Sequence, residues 1–256
     1  MHHGRIDYLA CGRSVVHRLD SRTKLLGTIL FTVFVIMQEP TAVSVIACFG
    51  VWPFAVLVVG GIPLRFAAKQ ILMVSPFVAV LAVSCLFYDR GGVEVVFGPV
   101  RFETTAGVLR CVSIVARFVV TMAALIGLVA TTRFNDLLAG MAKLGVPKIL
   151  IMQLGFLYRY IFLLIDCASH MLQARAGRRL RNLGVRMELK TAASMVGALV
   201  LNSLDMAERV NTAMQARGFD GRLHAVSRGK PGVRDLIFTV LLTGFVVVVH
   251  FVGRGI

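Results

Sequence analysis

Apolar positions fall into long blocks separated by polar or turn-forming residues. The first run covers Leu25 to Met37, Gln38-Glu39-Pro40 interrupts it, and a second covers Ala42 to Val59. Gly60-Gly61-Ile62-Pro63 then breaks the chain. A third run spans about Gln70 to Tyr88, a fourth roughly Ala106 to Ala130, and a last one Leu236 to Val252. A hydrocarbon core about 30 Å thick takes roughly 20 helical residues. The first run is shorter, so it either borrows flanking residues or lies shallow, and both options stay open. Counted as spans, these blocks predict an all-α polytopic membrane protein with about five transmembrane helices.

The stretch between the fourth and last runs has a different character. Arg133 to Leu144 reads as a short amphipathic helix ended by Gly145-Val146-Pro147. A long helix is expected from near Lys148, apolar over Ile149 to Ile165 except at Gln153 and Arg159. Its polar residues Arg159, Asp166, His170 and Gln173 recur at helical spacing and form one stripe. A basic stretch follows, with Arg175, Arg178, Arg179, Arg181 and Arg186. A second long helix, about Glu188 to Arg217, carries its own stripe of Asn202, Asp205, Arg209 and Thr212, and Gly218 supplies a stop. These helices are too apolar to stand free in water and must pack on each other, on the spans or on a partner. The expected organisation is a four-span part (residues 1–130), an amphipathic region (131–233) and a last span (234–256).

Composition and charge set the orientation. Hydrophobic residues make up 57% of the 256 and charged residues 16%, which argues against a soluble enzyme or a free nucleic-acid-binding domain. Lys and Arg number 28 against 13 Asp and Glu, a net charge of +15. Cations on so apolar a chain point to a membrane protein with its basic loops in the cytoplasm. The amino-terminal segment, with Arg5, Arg13, Arg18, Arg22 and Lys24, is expected inside, as are Arg65 and Lys69 in a second loop. The loop from Asp89 to Thr105, with more acids than bases, suits the outer face. No cleavable leader is expected, because the first apolar run starts only at Leu25. Arg110, Ser113, Arg117 and Thr121 form one stripe on the fourth span, facing the bundle interior or a polar groove. It reads as an internal ion pair or outward snorkelling, or as a polar contact with a partner.

Candidate chemistry is sparse. The cysteines Cys11, Cys48, Cys85, Cys111 and Cys167 lie far apart and read as packing residues. His2-His3 offers a minor possibility of divalent-cation binding. Asp166 and His170 stand at i, i+4, but an interhelical hydrogen bond, or pairing of Asp166 with Arg159 or Arg209, is the simpler reading. The acids are scattered without the clustered pair that an intramembrane prenyl or phospholipid transferase needs for Mg²⁺ and phosphate. Nor does a phosphate-binding GxxxxGK[ST] loop occur. What does recur is Gln-Ala-Arg followed by a small residue, at Gln173-Ala174-Arg175-Ala176 and Gln215-Ala216-Arg217-Gly218. An Arg flanked by small residues can enter a cleft and bind a carboxylate bidentately. A cation at a helix C-terminus is also ordinary capping, worth about 0.3–1 kcal/mol. Two copies on two helices suggest two equivalent docking sites.

On three features the chain resembles the transmembrane T component of energy-coupling-factor (ECF) transporters, most closely the CbiQ type of cobalt and nickel importers. They are His17-Arg18-Leu19-Asp20-Ser21-Arg22-Thr23-Lys24-Leu25, the motifs Ala174-Arg175-Ala176 and Ala216-Arg217-Gly218, and the order of spans, amphipathic helices and last span. The family often has Pro where Ser21 stands, and Ala-Arg-Gly where the first motif ends in Ala176. The resemblance implies a non-catalytic scaffold in a bacterial or archaeal cytoplasmic membrane. It would link a substrate-binding membrane subunit, the S component, to two ABC-type ATPases that bind the ATP, with no cofactor or metal in this chain and no nucleic-acid partner. Within it, His17, Arg18, Asp20, Arg22 and Lys24 form the family's amino-terminal motif, and Arg175 and Arg217 would each dock in one ATPase through cytoplasmic coupling helices. Cobalt ranks first as cargo, with nickel and a vitamin as alternatives.

Overall fold

The structure is a computed structural model that describes residues 12, 14, 16–39, 43–88, 92–97, 100–178, 184–219 and 232–254. His2, His3, Cys11, Arg179, Arg181 and His224 lie outside them. A short 3₁₀ turn (Val16–Arg18) leads into α1 (Ser21–Met37), α2 (Val43–Val59) and α3 (Leu64–Tyr88). Then come β1 (Gly92–Phe97), β2 (Val100–Thr105), α4 (Ala106–Thr131) and α5 (Phe134–Lys143). The chain continues through α6 (Lys148–Arg178), α7 (Val185–Ala216) and α8 (Val233–Arg254). The expected helical architecture is present, and the segment between α3 and α4 adds one antiparallel hairpin with Glu94 opposite Glu103.

Two compact units emerge, residues 1–140 with 227–256, and residues 141–226. In the first, α1, α2, α4 and α8 share a core. α1 buries Lys24, Gly27, Phe31 and Val35, which recur at three- and four-residue steps and so lie on one face. Phe31 meets Phe49 of α2 edge-on, with ring centroids 5.9 Å apart, and Val120 of α4 with Leu242 and Val246 of α8 complete the cluster. Trp52, the single tryptophan, stacks on Phe245 at 5.6 Å. Gly27 lets α1 and α8 approach closely: a Cβ there would lie 2.8 Å from Leu242 Cδ2. A second cluster joins Leu57, Ile62 and Ala67 to Ala123, Ile126 and Ala130.

α3 begins at Leu64, so Arg65 and Lys69 sit in its first turns rather than in a loop. The Pro63 carbonyl accepts from the Phe66 and Ala67 amides, and this fixes the helix start ahead of the apolar run. By length and composition, four helices among the described residues can cross a membrane: Leu64–Cys85, Gly107–Thr131, Lys148–Arg178 and Val233–Phe251, with Val43–Val59 a shorter apolar helix. α6 is thus apolar enough to span, although the sequence pattern placed it with the amphipathic helices. In the second unit, neither α6 nor α7 buries a single residue among those described.

Candidate functional site

Arg175 lies three residues from the end of α6, and the helix runs on through Ala176 and Gly177 to Arg178. That continuation explains why the first motif closes on alanine: an interior helical position needs no left-handed backbone, and alanine is the best helix former. Ala174 and Ala176 are exposed and Arg175 is half-buried. Its Nη2 stands 3.9 Å from Glu188 Oε2 at the start of α7. This is a long, partly solvated ion pair of the kind worth about 1 kcal/mol or less, so the guanidinium is readily re-partnered.

The second motif is built differently. Arg217 is the C-cap of α7, and Gly218 follows with φ +74°. The Gly218 amide donates to Gln215 O and the Phe219 amide to Met214 O, at 3.0 Å each. This is a Schellman ending, and its left-handed residue is where a Cβ would be strained. The glycine of Ala216-Arg217-Gly218 therefore stops α7 directly behind Arg217, which is exposed.

The separation of the two arginines follows from α7 itself. Arg175 reaches Glu188, and Arg217 caps the same helix twenty-nine residues further on. At 1.5 Å per residue, this places the motifs about 44 Å apart. No single pocket can take both side chains.

The amino-terminal motif forms a clasp within the first unit. Asp20 is the N-cap of α1, and its Oδ1 accepts from the Arg22 amide at 3.3 Å. The Asp20 amide donates to Asp235 Oδ1 at 2.7 Å, and Asp235 Oδ2 accepts from the Gly232 amide at 2.8 Å, so one buried carboxylate ties the start of α1 to the start of α8. Lys24 stands one residue ahead of the apolar run and is 4% exposed. Its Nζ donates to Thr131 O at the end of α4 at 2.9 Å, and more weakly to Thr132 Oγ1. Burial lowers the Lys24 ammonium from 10.5 to about 8, against the opposing pull of Asp136, Asp235 and Asp20. His17 Nδ1 lies 2.7 Å from Ser14 Oγ, and the His17 carbonyl faces Lys24 Nζ at 3.5 Å. Arg18 is exposed. His17, Asp20 and Lys24 thus join three helix ends.

The polar stripes resolve unevenly. Arg117 donates to the carbonyls of Ile36 and Gln38 at the end of α1, and so caps a neighbouring helix rather than forming an ion pair. Thr121 bonds back to Arg117 O, and Ser113 is buried with its hydroxyl unpaired among the described residues. Asp166, Arg159 and Arg209 are exposed, and no described ion pair joins them; Arg159 lies instead over the Tyr160 ring, 6.0 Å from its centroid. The role of Lys24 escaped the sequence reading beyond its motif, because Thr131, Asp136 and Asp235 are more than a hundred residues away.

The family model described as a cobalt transport protein, CbiQ, matches residues 12–227. The chain belongs to this family. An uncharacterized protein of Methanocaldococcus jannaschii is 25% identical, covering 91% of this chain and 82% of the relative. The energy-coupling factor transporter transmembrane protein EcfT of Bacillus selenitireducens is 29% identical over 82% of this chain and 81% of its own length. The cobalt transport protein CbiQ of Rhodobacter capsulatus is 33% identical over 45% of this chain and 47% of its own. With its spanning helices, the chain is a multi-pass membrane protein, a CbiQ-type T component of a multi-subunit ECF transporter.

Proposed function

We propose that this T component is the non-catalytic transmission scaffold of an ATP-driven cobalt importer in a bacterial or archaeal cytoplasmic membrane. Two ABC-type ATPases bind the ATP and dock at Arg175 and Arg217, while an S component in the bilayer carries the substrate. The chain itself holds no cofactor. The observation that carries this reading is the spacing of the two motifs, about 44 Å along one helix. Two exposed or half-exposed guanidiniums so far apart suit two separate acidic grooves, one on each motor subunit, and a rigid helix between them converts a change in motor spacing into a displacement. Cobalt as cargo is supported by the family's description and by the name of the R. capsulatus relative.

The test is co-expression with the proposed ATPases and S component. Replacing Arg175 and Arg217 by Glu together turns each docking contact into a like-charge clash, where loss of a desolvated pair alone costs about 2–5 kcal/mol. The doubly substituted chain should reach the membrane at normal level, lose the ATPases on purification and fail to import cobalt. Retention of both ATPases together with normal uptake would refute the docking assignment.

A further inference from the structure

A groove of about 710 Å³ runs along the first unit between α2 and α8. Its walls are apolar, formed by Trp52 and Val56 of α2 and by Phe238 and Leu241 of α8. Two cations stand at one end: Arg18 of the 3₁₀ turn and Arg234 in the first turn of α8. Both are exposed, and neither has a carboxylate within ion-pair distance among the described residues. The carboxylate nearest in sequence, Asp235, is buried and already accepts from the amides of Asp20 and Gly232. The amino-terminal clasp thus uses the negative charge inside and leaves the positive charge at the groove mouth.

An apolar channel with cations at one end matches an amphiphile with an anionic head. We propose that this groove binds one anionic diacyl phospholipid, its phosphate held by Arg18 and Arg234 and an acyl chain lying along Trp52, Val56, Phe238 and Leu241. The volume falls within the range of about 300–1,000 Å³ typical of built ligand sites. Basic pockets between membrane helices are a recurrent way of holding anionic headgroups. A neutral headgroup would forgo the charge complementarity, and a free phosphate would leave the apolar channel unfilled. The site would act as a lipid wedge beside the Asp20–Asp235 junction of α1 and α8, and it stands independently of the transport reading.

Native mass spectrometry of the full-length protein in detergent tests this, with phosphatidylglycerol and phosphatidylcholine of identical acyl chains as probes. Phosphatidylglycerol should bind several-fold more tightly than phosphatidylcholine. Arg18→Gln with Arg234→Gln should weaken phosphatidylglycerol about tenfold and phosphatidylcholine less, because its choline already offsets the phosphate charge, so that the preference is lost. Ala55→Phe, which narrows the groove without touching charge, should weaken both lipids. Arg18→Lys with Arg234→Lys should keep the preference, and so guards against a glutamine pair that fails to fold. Equal affinity for the two lipids, a glutamine pair that titrates like the wild type, or full displacement by millimolar inorganic phosphate with no effect of Ala55→Phe would each overturn the proposal.

Discussion

Gly177 follows the first arginine motif and Gly218 closes the second, and substitution at the two has opposite consequences. Gly218 has φ +74°, Gly177 lies inside α6 without positive φ, and a Cβ at either would meet nothing within 4 Å. Gly218→Ala therefore introduces backbone strain and no collision. Holding alanine in the left-handed region costs about 1–2 kcal/mol. The Schellman ending is held by two hydrogen bonds worth about 1 kcal/mol each, so strain of this size lowers the capping equilibrium constant about 5–30-fold and takes the capped fraction from near one to between roughly 0.8 and 0.5. Partner affinity falls by the fraction of competent conformer lost, so capture by the proposed ATPase at the Arg217 end should weaken by up to about twofold. Gly177→Ala replaces glycine with a better helix former and should stabilise the end of α6 by up to about 1 kcal/mol, leaving capture intact. Amide exchange at Gly218 and Phe219 reads the cap directly, and pull-down of the proposed ATPase partners reads its use. If Gly218→Ala accelerated exchange at both amides while ATPase capture stayed at the wild-type level, the helix ending would not be what presents Arg217.

Other consequences follow from the first unit. Lys24 titrates at about 8 in the fold against 10.5 when unfolded. Between these values the unfolded chain binds more protons, so stability should rise with pH from about 8 to 10.5 and be indifferent to this group below 8, by about 3 kcal/mol in all. Thermal unfolding followed by Trp52 fluorescence should show this rise in the wild type and lose it in Lys24→Met; parallel profiles would refute the burial argument. Phe31→Ala removes a ring 1% exposed from the contact with Phe49 and should cost about 3–5 kcal/mol, measured as loss of folded protein in the same assay. Arg117→Ala should uncap α1, and faster amide exchange is not the readout here, because the carbonyls of Ile36 and Gln38 are acceptors; a fall in melting temperature, partly restored by Arg117→Lys, is expected.

The parts legible in the sequence are those set by local chemistry. Gly218 as a helix stop and the apolar runs of α2, α4 and α8 depend on neighbours within a few residues. Arg65 and Lys69 lie in a helix rather than a loop because Pro63 starts α3 at Leu64, six residues ahead of the apolar run at Gln70. Lys24 and Arg117 were opaque for a different reason. Each donates to main-chain carbonyls at the end of another helix, and a carbonyl has no residue signature to search for. The two arginine motifs were visible as a repeat, but their separation was not, since it depends on the Arg175–Glu188 contact anchoring one motif at the start of the helix that ends in the other.

That anchoring bears on how motion could pass through the chain. The first unit has two hydrophobic clusters and a buried hydrogen-bonded clasp, so its helices hold one another. α6 and α7 bury nothing among the described residues, yet they carry large apolar side chains such as Leu157, Leu189 and Val196 at more than half exposure. In a multi-subunit transporter, such helices gain their packing from lipid and neighbouring subunits. Their position is then set by whatever covers them, and a weak Arg175–Glu188 pair does little to resist a change. Removing that pair should therefore leave transport and the assembly of the first unit intact. Glu188→Gln, which abolishes the pair and keeps Arg175 in place, tests the argument. Transport should stay within about twofold of the wild-type level, and its loss would mean that the Arg175–Glu188 pair has to hold α6 against α7.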